Sequence, residues 1–176
     1  MTHEGDSTWS NYQLTTRFNP LGGGDDWYNG QIQFRVQDMH AWTEGTYYRL
    51  QIYTPNANPG FPSDSIVFSK IVDDITIFNV TRILDQGILN STDNTVDILA
   101  VGSNFDITIN GTTAAHFHDD NPILTGGIAL GSIWESTTRY DYVNVTAVPE
   151  PETYVMLLAG LGLIGFMARR RKDSAV

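Results

Sequence analysis

The densest run of ligand-type side chains is A-H-F-H-D-D-N-P at residues 115–122. In an extended segment His116 and His118 project to one face, and with Asp119 or Asp120 they offer imidazole and carboxylate ligands to a divalent metal. A polar strand end running into a turn at Asp120-Asn121-Pro122 explains the same residues without a metal. Asp25 and Asp26, which follow three glycines, form a second acidic pair. Carboxylates with backbone carbonyls are the oxygen set that calcium takes, but two adjacent Asp supply too few ligands alone; a solvated acidic turn is the other reading.

Sugar chemistry is suggested by aromatics. Trp27 and Tyr28 in GGGDDWYNG, Trp42 in DMHAWTEG and Trp134 in GSIWEST all fall in loop-like sequence. Exposed rings stack on sugar faces while neighbouring Asn, Asp and Gln take the hydroxyls; plugging the ends of hairpins is the competing use. Catalysis on glycosides needs two carboxylates across the scissile bond, about 5–5.5 Å apart in a retaining enzyme. Ahead of residue 149 the glutamates are Glu4, Glu44 and Glu135, none of them in a run with another acid. This argues against a glucanase, and no G-x-S-x-G, HExxH or P-loop pattern is present. Asp141, in R-Y-D-Y, reads as a turn or cross-strand hydrogen-bonding residue.

The elements that would carry these residues are strands. Ile32, Phe34 and Val36 alternate with Gln31, Gln33, Arg35 and Gln37, and Tyr48, Leu50 and Ile52 alternate with Arg49 and Gln51, the period of a half-buried strand. Similar segments occur at 12–18, 66–71, 75–80, 96–101, 105–109, 127–130 and 140–145, about nine short strands in all. Turn-rich spacers separate them, and Asn110-Gly111 is a hairpin signal. No useful 3.6-residue apolar stripe interrupts the pattern before residue 148. The fold class is therefore all-β, an antiparallel β-sandwich of jelly-roll type over residues 1–147, followed by one C-terminal hydrophobic helix. At 176 residues, 41% hydrophobic and 17% charged, the chain fits one such domain and a tail.

Charge and cysteine content narrow the chemistry further. Before residue 149 there are 17 acids and six bases, a net of −11. Such a domain is repelled by phosphate backbones, which argues against a nucleic-acid partner. The absence of cysteine removes disulfides and thiolate chemistry.

Residues 148–176 have a different character. Pro149-Glu150-Pro151 cannot continue a ladder because proline lacks a donor. Residues 154–168 are then free of charge, and Arg169, Arg170, Arg171 and Lys172 follow. Fifteen helical residues span ~22 Å against a hydrocarbon core of ~30 Å. An aromatic at one end and cations at the other act as interfacial anchors, and snorkelling with local thinning closes the mismatch. Residues 154–168 are expected to cross a membrane with the cations on the cytoplasmic side.

V-P-E-P at 148–151, the apolar run and the basic cluster together resemble the PEP-CTERM sorting signal of Gram-negative bacteria, also catalogued as an ice-binding-protein C-terminal domain. The resemblance implies Pro149, Glu150, Pro151 and Arg169–Arg171 as signal residues and exosortase as the processing partner. It also implies transient residence in the inner membrane and delivery to the envelope or extracellular polysaccharide matrix. Members normally start with a signal peptide, and MTHEGDSTWSNYQ has neither a basic n-region nor an apolar h-region, so export requires a start further upstream. The strand cadence from W-S-N-Y-Q-L at 9–14 to R-Y-D-Y-V-N-V at 139–145 resembles concanavalin A-like jelly rolls. More narrowly it is similar to laminin-G-like and 3-keto-disaccharide hydrolase-type domains, which implies one or two further strands upstream and a possible calcium site. The expected role is non-catalytic glycan binding; the alternatives are a glycoside-acting enzyme of that hydrolase type and a structural matrix component without a ligand.

Overall fold

The computed structural model describes residues 2–4, 7–23, 29–38, 45–54, 64–132, 136–149, 158–161 and 163–164. The strands are β1 (Thr2–Glu4), β2 (Tyr12–Gly23), β3 (Asn29–Asp38), β4 (Thr46–Tyr53), β5 (Ser65–Val72) and β6 (Ile75–Ile83). They continue with β7 (Asn94–Val101), β8 (Asn104–Ile109), β9 (Thr112–His118), β10 (Gly127–Gly131) and β11 (Ser136–Ala147). Each segment expected to be extended is extended, and β1 and β9 join them. β9 escapes a hydrophobicity reading because one of its faces is exposed threonine and histidine.

Two antiparallel sheets result. One has the order β1-β10-β3-β4-β5-β6 and the other β11-β2-β7-β8-β9. The molecule is a jelly-roll β-sandwich. Turn chemistry sets the hairpins: Asn110 (φ 51°) and Gly111 (φ 79°) join β8 to β9, and Asp73 (φ 46°) and Asp74 (φ 68°) join β5 to β6. Positive φ at both central residues matches the right-handed twist of the flanking strands.

The core lies between the sheets and is strongly aromatic. Phe34, Tyr48 and Phe68 stack at 5.5–6.0 Å, Phe105 packs 4.6 Å from Tyr48, and Phe117 stacks 4.4 Å from Phe68. Leu14, Ile32, Leu50, Ile66, Val96, Ile98 and Ile107 complete it.

One residue departs from the expected alternation. Arg35 adopts φ 50°, pairing shifts register on both sides of β3 there, and the side chain turns into the core, 0% exposed. Val36 correspondingly moves to the outer face, where it meets Tyr47, Ile71 and Ala129. Inside, Arg35 Nη1 donates to Gly102 O at 2.5 Å and to Ile123 O at 2.7 Å, with the guanidinium 5.1 Å from the Phe105 ring centre. Burial lowers its pKa. The cation thus ties β3 to the β7–β8 turn and to the connection between β9 and β10.

In the tail, residues 158–161 and 163–164 are helical and exposed. Among the described residues no helix is long and apolar enough to cross a membrane. The remainder of 154–168, with Glu150, Pro151 and Arg169–Arg171, lies outside the described residues.

Candidate functional site

The histidine run does not converge on one point. His116 stands opposite Asp106, with Nδ1 2.5 Å from Asp106 Oδ1. His118 stands opposite Asn104, its Nδ1 2.9 Å from Asn104 Oδ1 and its Nε2 3.2 Å from Asp120 Oδ1. Asp119 leaves the strand toward the interior, where it accepts from the Tyr48 hydroxyl at 2.5 Å and lies 2.7 Å from Lys70 Nζ. Its role is to answer a buried cation, not to join the histidines. Among the described residues no three His, Cys, Asp or Glu side chains group to hold a metal. Asp25, Asp26, Trp27, Tyr28, Trp42 and Trp134 lie outside the described residues.

A different assembly stands out on the outer face of the six-stranded sheet. Gln33 of β3 is opposite Arg49 of β4, Arg49 opposite Ser69 of β5, and Ser69 opposite Asn79 of β6. In the adjacent row Gln31 is opposite Gln51, Gln51 opposite Val67, and Val67 opposite Thr81. Because Ile32, Phe34, Leu50, Ile52 and Phe68 point into the core, these alternate residues share the face turned away from it. The rows hold amides, a guanidinium and hydroxyls, and no carboxylate.

These polar groups are withdrawn from solvent. Gln31, Gln33 and Ser69 are 0% exposed, Gln51 is buried, and Arg49 is half-buried. Among the described residues, Gln31 Oε1 and Nε2, the Tyr47 hydroxyl and Arg49 Nε are buried without a hydrogen-bond partner. Native proteins leave few such atoms unsatisfied, and those that occur point to a water, an ion or a ligand. Burial raises the Tyr47 and Tyr53 pKa values and lowers that of Arg49, so the hydroxyls stay neutral. An amide-rich face with one guanidinium suits a ligand of many hydroxyls.

Tyr140 of β11 fixes this face from below. Its hydroxyl accepts from the Gln31 N–H at 2.9 Å and shares its proton between Gln31 O at 2.9 Å and Gly131 O at 2.7 Å. Burial raises its pKa. At the same end Ser136 Oγ donates to Asn29 Oδ1 at 3.1 Å and Thr138 Oγ1 to Asn29 O at 2.5 Å. Asn29 pairs with Tyr53, and Gln31 with Gly131. The strand ends that flank segments 24–28, 55–63 and 133–135 therefore meet beside Gln31, whereas those flanking 39–44 lie at the opposite end, where Asp38 pairs with Thr46.

Sequence reasoning noticed Gln31, Gln33, Arg49 and Gln51 as the outward half of each alternation and gave them no function. A polar outward face is what any solvated sheet shows. The available signal was residue type: glutamine and arginine cluster on β3 and β4 where Thr and Lys would serve a merely solvated surface.

At the other end of the sandwich Ala147 is the last ladder residue of β11, paired with Tyr12, and the Val148 N–H donates to Asn11 O at 2.9 Å. Pro149 follows at the point where the ladder can go no further. Residues 147–172 match the PEP-CTERM protein-sorting motif. A PEP-CTERM motif implies an exported protein, and here it begins directly on the sandwich. No curated protein matches the sequence. Among solved structures, a human galectin-16 variant aligns with 84% of this chain and 95% of its own at 11% identity and a TM-score of 0.62. Sheep galectin-11 in complex with glycerol covers 82% and 96% at 11% identity, TM-score 0.56. The carbohydrate-binding module CBM66 from Bacillus subtilis covers 78% and 76% at 18% identity, TM-score 0.57. At such identities the likeness is one of fold, a jelly roll ahead of a PEP-CTERM motif.

Proposed function

We propose that the chain is an exported saccharide-binding protein that acts without catalysis. The observation that carries this reading is the set of unpaired buried polar atoms of Gln31, Tyr47 and Arg49 on one sheet face. Sugar hydroxyls both donate and accept, so they complement amide, phenol and guanidinium groups together. The lack of a carboxylate in the two rows supports binding over glycoside hydrolysis. The fold shared with galectins and a carbohydrate-binding module supports the same ligand class. Trp27, Tyr28 and Trp134, from segments that adjoin the Gln31 end, supply stacking faces.

The tail gives the destination. Residues 154–168 cross the inner membrane, Arg169–Arg171 hold the cytoplasmic side, and exosortase cuts at the Pro149-Glu150-Pro151 region. The product enters the envelope or polysaccharide matrix of a Gram-negative bacterium.

A glycan array of bacterial polysaccharide fragments tests the binding. Wild type binds a subset, and Gln31→Leu and Arg49→Met each weaken that binding about tenfold or more, the scale of one lost charge-assisted or buried hydrogen bond. Absence of any wild-type binding, or full binding by both variants, overturns the reading and leaves a structural matrix role.

A further inference from the structure

The end of the sandwich from which the tail leaves carries a cavity and two apolar side chains. A cavity of about 460 Å³ opens there, lined by Trp9, Ser10, Tyr12, Val145, Ala147 and Val148. Trp9 is half-buried, edge-on to Tyr12 at 6.3 Å, and its carbonyl accepts from the Gly126 N–H at 2.9 Å. Two residues before Gly126, Leu124 is 55% exposed. An aromatic with an apolar body and a polar N–H, at the same end as an exposed leucine, suits the boundary between headgroups and hydrocarbon.

The chain's own geometry brings a membrane to this end. Val148 is pinned to Asn11, and five residues, 149–153, separate it from the apolar run. Fully extended they reach roughly 17 Å, and two prolines among them limit slack. Val148, and the Trp9 end with it, is therefore held within roughly 17 Å of the inserted segment, in reach of the headgroups. We infer that the Trp9–Leu124 end of the sandwich docks on the lipid surface until the tail is cut. The surface it fits is zwitterionic, because the domain carries −11 ahead of residue 149 and Asp120 at this end is fully exposed. The docking rests on the membrane reading of 154–168. Its consequence is orientation: the Gln31 end of β3 stands away from the bilayer, whereas Arg35, whose N–H bonds the Tyr12 hydroxyl, lies at the docked end.

The absence of cysteine makes a site-specific test clean. Leu124→Cys and Leu21→Cys are made in the full chain, each labelled with an environment-sensitive dye and reconstituted into phosphatidylcholine vesicles containing nitroxide-labelled lipid. Leu21 is equally exposed at 55% but lies toward the far end of β2, whose first residue, Tyr12, is beside the tail exit. Nine strand steps separate Tyr12 from Leu21, roughly 30 Å. Flotation with the vesicles is scored first. Failure to float overturns the membrane reading of the tail and the docking with it. With flotation established, the expected result is strong quenching at Leu124, little at Leu21, and reduced Leu124 quenching when Trp9→Ser is added. Equal quenching at both positions, or none at either, overturns the docking while leaving the inserted tail intact.

Discussion

Lys70 Nζ and Asp119 Oδ2 stand 2.7 Å apart with side chains only 5% and 9% exposed. Tyr48 donates to the same carboxylate oxygen at 2.5 Å, while the Asn121 N–H donates to the other at 3.0 Å. Lys70 also donates to Asn121 O, and the Ile123 N–H donates to the Tyr48 hydroxyl at 3.0 Å. The pair thus fastens the β9–β10 connection, which crosses between sheets, onto the aromatic core. Removing one partner leaves a buried charge unanswered, which typically costs about 3–5 kcal/mol. Lys70→Met is expected to lower stability by about that amount in urea unfolding, and Lys70→Met combined with Asp119→Asn by less.

The same carboxylate sets an acid limit. Burial opposes the charge on Asp119, but the bonds from Lys70, Tyr48 and Asn121 outweigh it and its pKa is lowered. A depressed folded value means stability that is present above the unfolded pKa, about 4, and is lost as pH falls through the folded one. The urea midpoint should fall with acidification below that point, and the Lys70→Met/Asp119→Asn variant should show a flatter curve. Parallel acid curves would contradict the assignment.

Tyr12 sets an alkaline limit. Its hydroxyl is the acceptor for the Arg35 N–H at 2.8 Å. Burial raises its pKa from 10.0 to about 12, partly offset by the Arg35 hydrogen bond and charge. A raised folded value gives stability that is complete below the unfolded pKa and declines as pH rises toward the folded one. Unfolding midpoints should fall between pH 10.0 and about 12. Tyr12→Phe should cost about 1 kcal/mol at neutral pH, from the lost hydrogen bond, and should flatten that alkaline decline.

Glycines give a graded packing test. At Gly126 (φ 144°) an added Cβ would come within 2.2 Å of the Arg35 carbonyl carbon, and at Gly30 within 2.9 Å of the Phe18 ring; at Gly111 it meets nothing within 4 Å. Alanine should cost most at Gly126, where backbone and φ both refuse it, with an intermediate cost of about 1–3 kcal/mol at Gly30. At Gly111 the cost should be about 1 kcal/mol, from the positive φ alone. Thermal melts of the three variants check the order.

The aromatics can be ranked by the strand ends they adjoin. Segments 24–28 and 133–135 flank Asn29, Gly131 and Ser136 near Gln31, and segment 39–44 flanks the opposite end. Trp27→Ala and Trp134→Ala should therefore weaken saccharide binding more than Trp42→Ala, by about tenfold or more if a stacking contact is lost. Isothermal titration with one saccharide across the three variants reads this directly.

Much of the architecture is written in alternation. Ile32 and Phe34 against Gln31 and Gln33 define β3 because one sheet face must be apolar, and Asn110-Gly111 defines the β8–β9 hairpin because positive φ is cheap there. The tail motif was legible for the same reason, being an order of simple physical types. Arg35 was not, since a single residue at φ 50° inverts the pattern and no composition rule reveals a local register shift. The inward turn of Asp119 was not legible because its partner Lys70 is 49 residues away, and only folding brings the two together. The polar rows stayed invisible for a related reason. Alternation says which side chains face outward, whereas burial of Gln31 and Gln33 on that outward face depends on tertiary structure.

The most direct measurement is an NMR titration of the isotope-labelled chain with a saccharide that it binds on the array. Shifts should concentrate on the amides and side-chain NH2 groups of Gln31, Gln33 and Gln51 and on the backbone of Arg49 and Ser69. Shifts confined to β2, β7 and β8, with the β3 and β4 signals unmoved, would contradict a saccharide site on the outer face of the six-stranded sheet.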